Sequence, residues 1–153
     1  MAEWSSIGDQ IVNPGESIVF TLNPVPCTKG LVTQLPGNAA FNLKGTVKYD
    51  RCLCKCQQPK FAQYLTDFGA NIGIPEGSTA QDQISVAFAI DGSTIQGTTM
   101  QAPGEVGILY NISAATNIPV IKGCCQTLSV RNTSSVPITV NNPNIDFDRR
   151  DLA

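Results

Sequence analysis

Histidine is absent from this 153-residue sequence, and charged residues make up only 14% of it. Without an imidazole the chain cannot build a Ser-His-Asp or Cys-His nucleophile, a His-ligated zinc site or imidazole acid–base catalysis. Glycine-rich phosphate loops of the G-x-G-x-x-G and G-x-x-x-x-G-K-S/T types are missing, as is the acidic spacing of an EF-hand. We therefore expect a chain that is not an enzyme, has no catalytic residues and uses no cofactor.

Long apolar runs and interleaved aromatic residues are missing too. No stretch approaches the ~20 apolar residues of a membrane-spanning helix, and the N-terminal MAEWSSIGDQ resembles no secretory signal. Aromatic residues make up 7% of the chain and do not alternate with its basic residues as they would in a nucleic-acid platform. We therefore expect a soluble protein made in a cytoplasm, with reduced thiols and with neither nucleic acid nor membrane as a partner.

Short segments rich in Val, Ile and Thr recur throughout, separated by turns that contain Gly and Pro. Residues 41–49 alternate between apolar and polar and predict a half-buried strand, and the chain is expected to turn near Asp50. Residues 84–90 alternate before Asp91-Gly92, which suits a type I′ hairpin. Two strands are predicted between residues 105 and 121, and turns at the later NTSS and NNPN segments. The pattern favours an all-β fold, an antiparallel β-sandwich or jelly roll.

The charges are unevenly distributed along the chain. Residues 29–60 carry a net charge of +5, whereas residues 1–28 carry −3 and residues 61–148 carry −5. This asymmetry suggests that the basic segment has a partner, either phosphate or an acidic protein surface, and a solvated strand face is the alternative. The candidate docking residues are Lys29, Lys44, Lys48, Arg51, Lys55 and Lys60.

The six cysteines fall into three groups: Cys27 alone, the triplet Cys52, Cys54 and Cys56, and the adjacent pair Cys124 and Cys125. Structural zinc sites use C-x₂₋₄-C spacing, so each interval of the triplet is one residue too short, and we predict no metal site. A bent loop could still join the triplet to the pair around an ion, and oxidation could link cysteines of the cluster as disulfides. Free, partly buried thiols are the third interpretation.

Ser85, Ala87 and Ala89 occupy the second face of the strand predicted over residues 84–90. One face of an antiparallel sheet is normally polar and solvated, but these side chains are small and weakly polar. Small side chains let another surface pack closely. We therefore take the three residues as candidates for a trimer interface, with an ordinary surface as the alternative.

Several segments together resemble one family. The motifs are IPEGSTA followed by ISVAFAIDGSTI, then YNISAATNIPV, GCCQTLSVRNTSS and ITVNNPNI, with the leader VNPGESIVFTLNPVPCTKGLVTQLPGNAAFNLKGTV. They are similar to the short structural proteins of phages and prophages of gut Firmicutes, over nearly all of the chain. The ending DFDRRDLA departs from that family, whose ending is more apolar.

The resemblance implies a TNF/C1q-like jelly roll that assembles as a homotrimer on the outside of a phage head, as a decoration protein or head fibre bound to the major capsid protein. Residues 1–58 would then be a β-rich capsid-attachment region and residues 59–153 the projecting jelly roll. Such a place on the virion is compatible with an adhesion surface for a host-surface or mucosal glycan. The competing functions are a cysteine-crosslinked bacterial surface or spore-coat module and a carbohydrate-binding module or small hydrolase.

Overall fold

Two antiparallel sheets pack face to face in the computed structural model, which describes residues 1–27, 29–49 and 51–149. The first sheet has the strand order β10-β6-β12-β1-β3, with β2 also paired to β12. The second has the order β4-β5-β11-β7-β8, with β9 also paired to β7. The strands are β1 Ala2–Ser5, β2 Asp9–Val12, β3 Leu22–Val25, β4 Val32–Gln34, β5 Phe41–Lys44, β6 Phe61–Gly73, β7 Gln81–Ile90, β8 Ser93–Thr94, β9 Met100–Gly104, β10 Tyr110–Ile121, β11 Cys125–Asn132 and β12 Ile138–Arg149.

This architecture confirms the predicted all-β sandwich. The described part contains only two short 3₁₀ turns besides the strands, at Lys55–Gln57 and Gln96–Thr98. In that part of the chain no helix has the length and apolar character needed to cross a membrane. The core lies between the sheets because alternate residues of each long strand are apolar, as along β6, where every second side chain from Ala62 to Ile72 is buried.

The N-terminal strands belong to the same core as the rest of the chain. Strand β1 pairs with β12 in the first sheet, and β5 pairs with β11 in the second. Trp4 of β1 packs against Phe41 and Phe147, with ring centroids 4.9 Å and 5.8 Å apart. The predicted boundary at residue 58 therefore does not separate two packing units, because β1–β5 complete both sheets.

Several local predictions can be compared directly with the structure. The Asp91-Gly92 turn is confirmed: both residues have positive φ, 50° and 84°, and they join β7 to β8. Residues 105–121 contain one strand, β10, where two were predicted. The NNPN segment is a bulge within β12, where the register shifts between Asn141 and Asn144. Strand β5 ends at Lys44 instead of continuing to residue 49, and the predicted turn at Asp50 lies outside the described residues.

Candidate functional site

Six lysines and one arginine lie together at one end of the sandwich, which we call the basic pole. The strands β5 and β10 end here, and β4, β6 and β11 begin here, so the loops between them converge. All seven residues are exposed, and in the described part none of the seven forms an ion pair with a carboxylate. The basic pole consists of Lys29, Lys44, Lys48, Arg51, Lys55, Lys60 and Lys122.

Five exposed carboxylates lie at the opposite end, which we call the far end. It is formed by the start of β7 and β12 and by the loops that follow β6 and β9. Most of the exposed charge is therefore divided between the two ends, with Asp91 and Asp148 as exposed carboxylates toward the basic pole. This uneven distribution favours one orientation on a charged partner. The carboxylates of the far end are Asp9, Glu16, Glu76, Asp82 and Glu105.

The close approach of Gly45 to the β10–β11 turn brings the parts of the basic pole together. Gly45 N donates to Cys124 O at 2.7 Å, and Gly123 N donates to Gly45 O at 3.0 Å. A Cβ atom on Gly45 would overlap the carbonyl oxygen of Ile121, so only glycine fits there. The contact places Lys122 beside Lys44, across an open groove of about 480 Å³ that both residues line.

Buried Tyr64 anchors the same end of the sandwich from inside. Its hydroxyl donates its one proton to the carbonyl oxygen of Lys44, at 2.5 Å, and also lies 3.2 Å from the carbonyl oxygen of Leu31. Arg149 packs over the Tyr64 ring, 5.0 Å from its centroid, and donates to Thr46 O at 2.8 Å. These bonds tie β12, β6 and the segments that carry Lys29 and Lys44 into one rigid support.

The structure places all six predicted docking residues at the basic pole and adds Lys122 to them. Counting charge by sequence segment missed Lys122, because it is more than sixty residues away from the basic segment. The sequence does contain a signal for an exposed lysine here, because Lys122 lies in the turn IKGCC directly after an apolar run. Because the β10–β11 turn lies against Gly45, this lysine joins a surface built from residues 29–60.

The cysteines also lie at this end, but they do not form one cluster. Cys54 and Cys56 are close, with their Sγ atoms 2.8 Å apart, whereas Cys124 and Cys125 line the groove beside Lys44. No disulfide joins cysteines of the described part, and there no group of three or more Cys, Asp or Glu residues is placed to hold a metal ion. Burial raises the pKa of the Cys27 thiol, but the backbone N–H groups of residues 29–32 outweigh this and lower it overall.

The three predicted trimer-interface residues are not on an open surface. Ala87 and Ala89 are fully buried within the single chain, with exposed fractions of 0%. Arg131 lies opposite Ala87 in the ladder, and its guanidinium donates to the carbonyl oxygens of Gly15 and Gly92. The hydroxyl groups of Ser85 and Thr133 are hydrogen-bonded, with their oxygens 2.7 Å apart. This face is therefore covered by its own chain and does not offer Ala87 or Ala89 to a partner.

The outward face of the first sheet is the larger open face. Small side chains lie toward its β10 edge, such as Ser113 opposite Gly69. Apolar side chains are exposed at both of its ends, Phe61 and Ile121 near the basic pole and Ile11 near the far end. Between them a row of amides crosses four strands, with hydrogen bonds from Asn111 to Asn71, from Asn71 to Asn141, and from Asn141 to Asp9.

A row of carboxylates crosses the same face. Asp146 of β12 lies directly opposite Asp67 of β6 and Glu3 of β1. Asp146 Oδ1 is buried and has no hydrogen-bond partner. Burial raises the pKa of Asp146, and the charges of Glu3 and Asp67 raise it further. Like charges directly opposite each other destabilise a sheet, so ionised Asp146 opposes folding.

Asp146→Asn is expected to stabilise the fold at neutral pH by up to about 1 kcal/mol, because it removes this repulsion. The folded pKa lies above the unfolded value near 3.8, so the stability that Asp146 contributes is fully present below that value and is lost as pH rises through the folded pKa. Thermal unfolding of both chains from about pH 3 to pH 8 measures this, and the stabilities of the two chains should converge below the unfolded value of 3.8. Asp148→Asn, an exposed carboxylate of the same strand, is the control. If Asp146→Asn stabilises the fold by the same amount at every pH, charge repulsion is not the cause of the gain.

Comparisons with known proteins show the fold. No family model matches the chain, and neither does any curated protein. The globular domain of zebrafish complement 1qA protein aligns with a TM-score of 0.57 at 7% identity, covering 95% of this chain and 94% of that one. Eiger TNF from S. frugiperda aligns with a TM-score of 0.54 at 12% identity, covering 94% and 88%. These likenesses confirm a C1q/TNF-like jelly roll.

A third similar structure is more distant. The family 35 carbohydrate binding module from Clostridium thermocellum aligns with a TM-score of 0.35 at 13% identity, covering 95% of this chain and 98% of that one. That TM-score is too low to support an argument about either fold or ligand. The C1q and TNF likeness spans nearly the whole chain, including the strands before residue 58.

Proposed function

We propose that this chain is a homotrimeric decoration protein, or head fibre, which binds the outside of a phage capsid through its basic pole and stabilises the capsid without catalysing a reaction. The observation that carries the proposal is the uneven distribution of charge: all six lysines lie at one end with the exposed carboxylates Asp91 and Asp148, and five carboxylates lie at the other. A capsid exterior that is acidic would attract the basic pole and repel the far end. The likeness of the sequence to phage structural proteins supplies the class of partner.

The trimer is proposed to close on the outward face of the first sheet. That face combines small side chains along β10 with exposed Phe61 and Ile121, which gain from burial against a neighbour. The contact is proposed to centre on β10, so that Glu3 and Asp146 of the carboxylate row stay outside it. The corresponding face of the second sheet has Ala87 and Ala89 already covered. A cyclic trimer built in this way would direct three basic poles to the same side, where they would contact neighbouring capsid subunits together.

Stabilisation of the capsid then follows from mass action, because a trimer that binds only the assembled shell shifts the equilibrium toward that shell. The far end would project from the particle. It carries exposed Val106, Ile108 and Leu109 on the loop after β9. Gly73 lies directly beneath that loop, since a Cβ there would overlap Ile108 O. This supported apolar loop is the candidate adhesion surface.

Ser113→Glu tests the trimer. Ser113 is exposed at the centre of the proposed interface, and Glu at that position would add a buried like charge to each of the three contacts, at roughly 1 kcal/mol or more per contact. Multi-angle light scattering should give a trimer for the wild-type chain and a monomer for this variant. Gln101→Glu, at an exposed position of β9 in the second sheet and away from the proposed interface, is the matched control and should remain trimeric. A monomeric wild-type chain, or dissociation by Gln101→Glu alone, would refute the proposed interface.

Co-sedimentation with purified capsids tests the proposed function as a whole. The wild-type chain should pellet with capsids at low salt and should be released as salt rises, because exposed charges are screened. Capsids that carry the bound chain should withstand a higher temperature before releasing DNA than bare capsids. Failure of the chain to pellet with capsids at any salt concentration would refute the capsid role, whatever its oligomeric state.

A further inference from the structure

Cys54 and Cys56 form a close pair of thiols in the exposed loop between β5 and β6. Their Sγ atoms are 2.8 Å apart, and both side chains are exposed to solvent. A 3₁₀ turn over Lys55–Gln57 begins immediately after Cys54, and Gln57 N donates to Cys54 O at 2.9 Å. The turn brings both sulfurs to one side of the loop, so a bond of about 2.05 Å between them needs no movement of either sheet.

The surroundings of Cys54 favour its thiolate. The hydrogen bond from the Cys56 thiol lowers the pKa of Cys54, and backbone N–H groups of the turn lower it further against the opposing effect of burial. The thiolate is the reactive form of cysteine. Arg51 and Lys55 are exposed in the same loop, and Lys60 follows it. At low salt the positive charge of this loop attracts anionic reactants more strongly than cationic ones.

We propose that Cys54 and Cys56 are a redox couple that reduces anionic low-molecular-weight disulfides and closes as a Cys54–Cys56 disulfide. The Cys54 thiolate attacks one sulfur of the small disulfide, forms a mixed disulfide and expels the first small thiolate. Cys56 then gives its proton to solvent, attacks Cys54 Sγ and expels the second small thiolate. The protein loses two hydrogens in total, and the small disulfide gains the two electrons and becomes two thiols.

Three of the other cysteines are placed differently. Cys27 is partly buried, and Cys124 and Cys125 are adjacent in sequence at the start of β11. Closing the Cys54–Cys56 disulfide would fix the loop that holds Arg51 and Lys55, and would therefore fix part of the basic pole. The redox proposal itself does not depend on the capsid role, because every step uses only this chain and the small disulfide.

The test uses the full, reduced chain and oxidised glutathione, with intact mass and peptide mapping after quenching. The wild-type chain should pass through one glutathione adduct at Cys54 and end as a Cys54–Cys56 disulfide. Cys54→Ser should slow the early release of glutathione at least about tenfold. Cys56→Ser should stop at a stable adduct on Cys54. Cys124→Ser/Cys125→Ser is the control and should match the wild type.

Two results would refute the proposed redox couple: an unchanged early rate of glutathione release in Cys54→Ser, or a wild-type disulfide mapped to another pair of cysteines.

Cystamine, a cationic disulfide, tests the charge preference. At low salt oxidised glutathione should react faster than cystamine by roughly tenfold, and Arg51→Gln/Lys55→Gln should remove most of that difference. Equal rates for both disulfides in the wild-type chain would refute the anionic preference. All substituted side chains are exposed, so thermal unfolding should be unchanged in every variant.

Discussion

Replacing Lys44, Lys48 and Lys60 together with glutamine is expected to weaken capsid binding about a hundredfold at low salt. All three side chains are exposed at the basic pole. One exposed ion pair contributes only about 0.2–1 kcal/mol. A trimer that binds as a unit loses three such pairs in each of its three chains. Together these losses account for weakening of about a hundredfold. Co-sedimentation at increasing salt measures it, and wild-type and variant binding should converge as salt screens the charges.

The matched control changes the net charge equally but leaves the basic pole intact. Thr79→Glu, Gln83→Glu and Gln101→Glu alter exposed residues away from the basic pole, and each makes the chain one unit more negative. This triple variant should lose only a small part of the binding, through general repulsion. If it weakens binding as much as the lysine variant does, net charge governs the interaction and the basic pole is not the docking surface.

Trp4→Ala is expected to destabilise the whole jelly roll by about 3–5 kcal/mol, a large part of the ~5–15 kcal/mol available to a typical domain. Trp4 is only 3% exposed, and its ring packs between Phe41 of the second sheet and Phe147 of the first. The substitution therefore leaves a cavity between the sheets. Denaturant unfolding should show one transition, shifted as a whole to lower denaturant.

Ile7→Ala is the control for Trp4→Ala. Ile7 also belongs to the N-terminal segment but is 82% exposed, so its loss should change stability by less than about 0.5 kcal/mol. If residues 1–58 were a separate attachment region, Trp4→Ala would instead leave the main transition in place. For the same reason a deletion of residues 1–58 would remove β1–β5 from both sheets and could not isolate an attachment function.

Local sequence signals predicted much of the fold because their causes are local. The Asp91-Gly92 hairpin follows from two residues that tolerate positive φ. Residues 105–121 were predicted as two strands, yet β10 is continuous from Tyr110 to Ile121 and includes Pro119. The reason is long-range: β10 is an edge strand of the first sheet, and an edge strand tolerates the missing N–H of proline.

The candidate site was harder to predict, because it depends on which distant segments meet. The alternation of residues 84–90 correctly placed Ala87 and Ala89 on the same side of the strand. It could not show that this side is covered, because Arg131 and the segment near Gly15 come from elsewhere in the chain. Six of the basic residues are close in sequence and were found together. Lys122 joins them only through the contact of its turn with Gly45.

A density map of capsids bearing the bound chain would show the attachment itself. We expect three copies around a threefold axis, joined through the outward face of the first sheet. Lys44, Lys48, Lys60 and Lys122 should face the shell, and the loop of Val106, Ile108 and Leu109 should point to solvent. Attachment through the far end, or single copies bound without neighbours, would contradict the proposal.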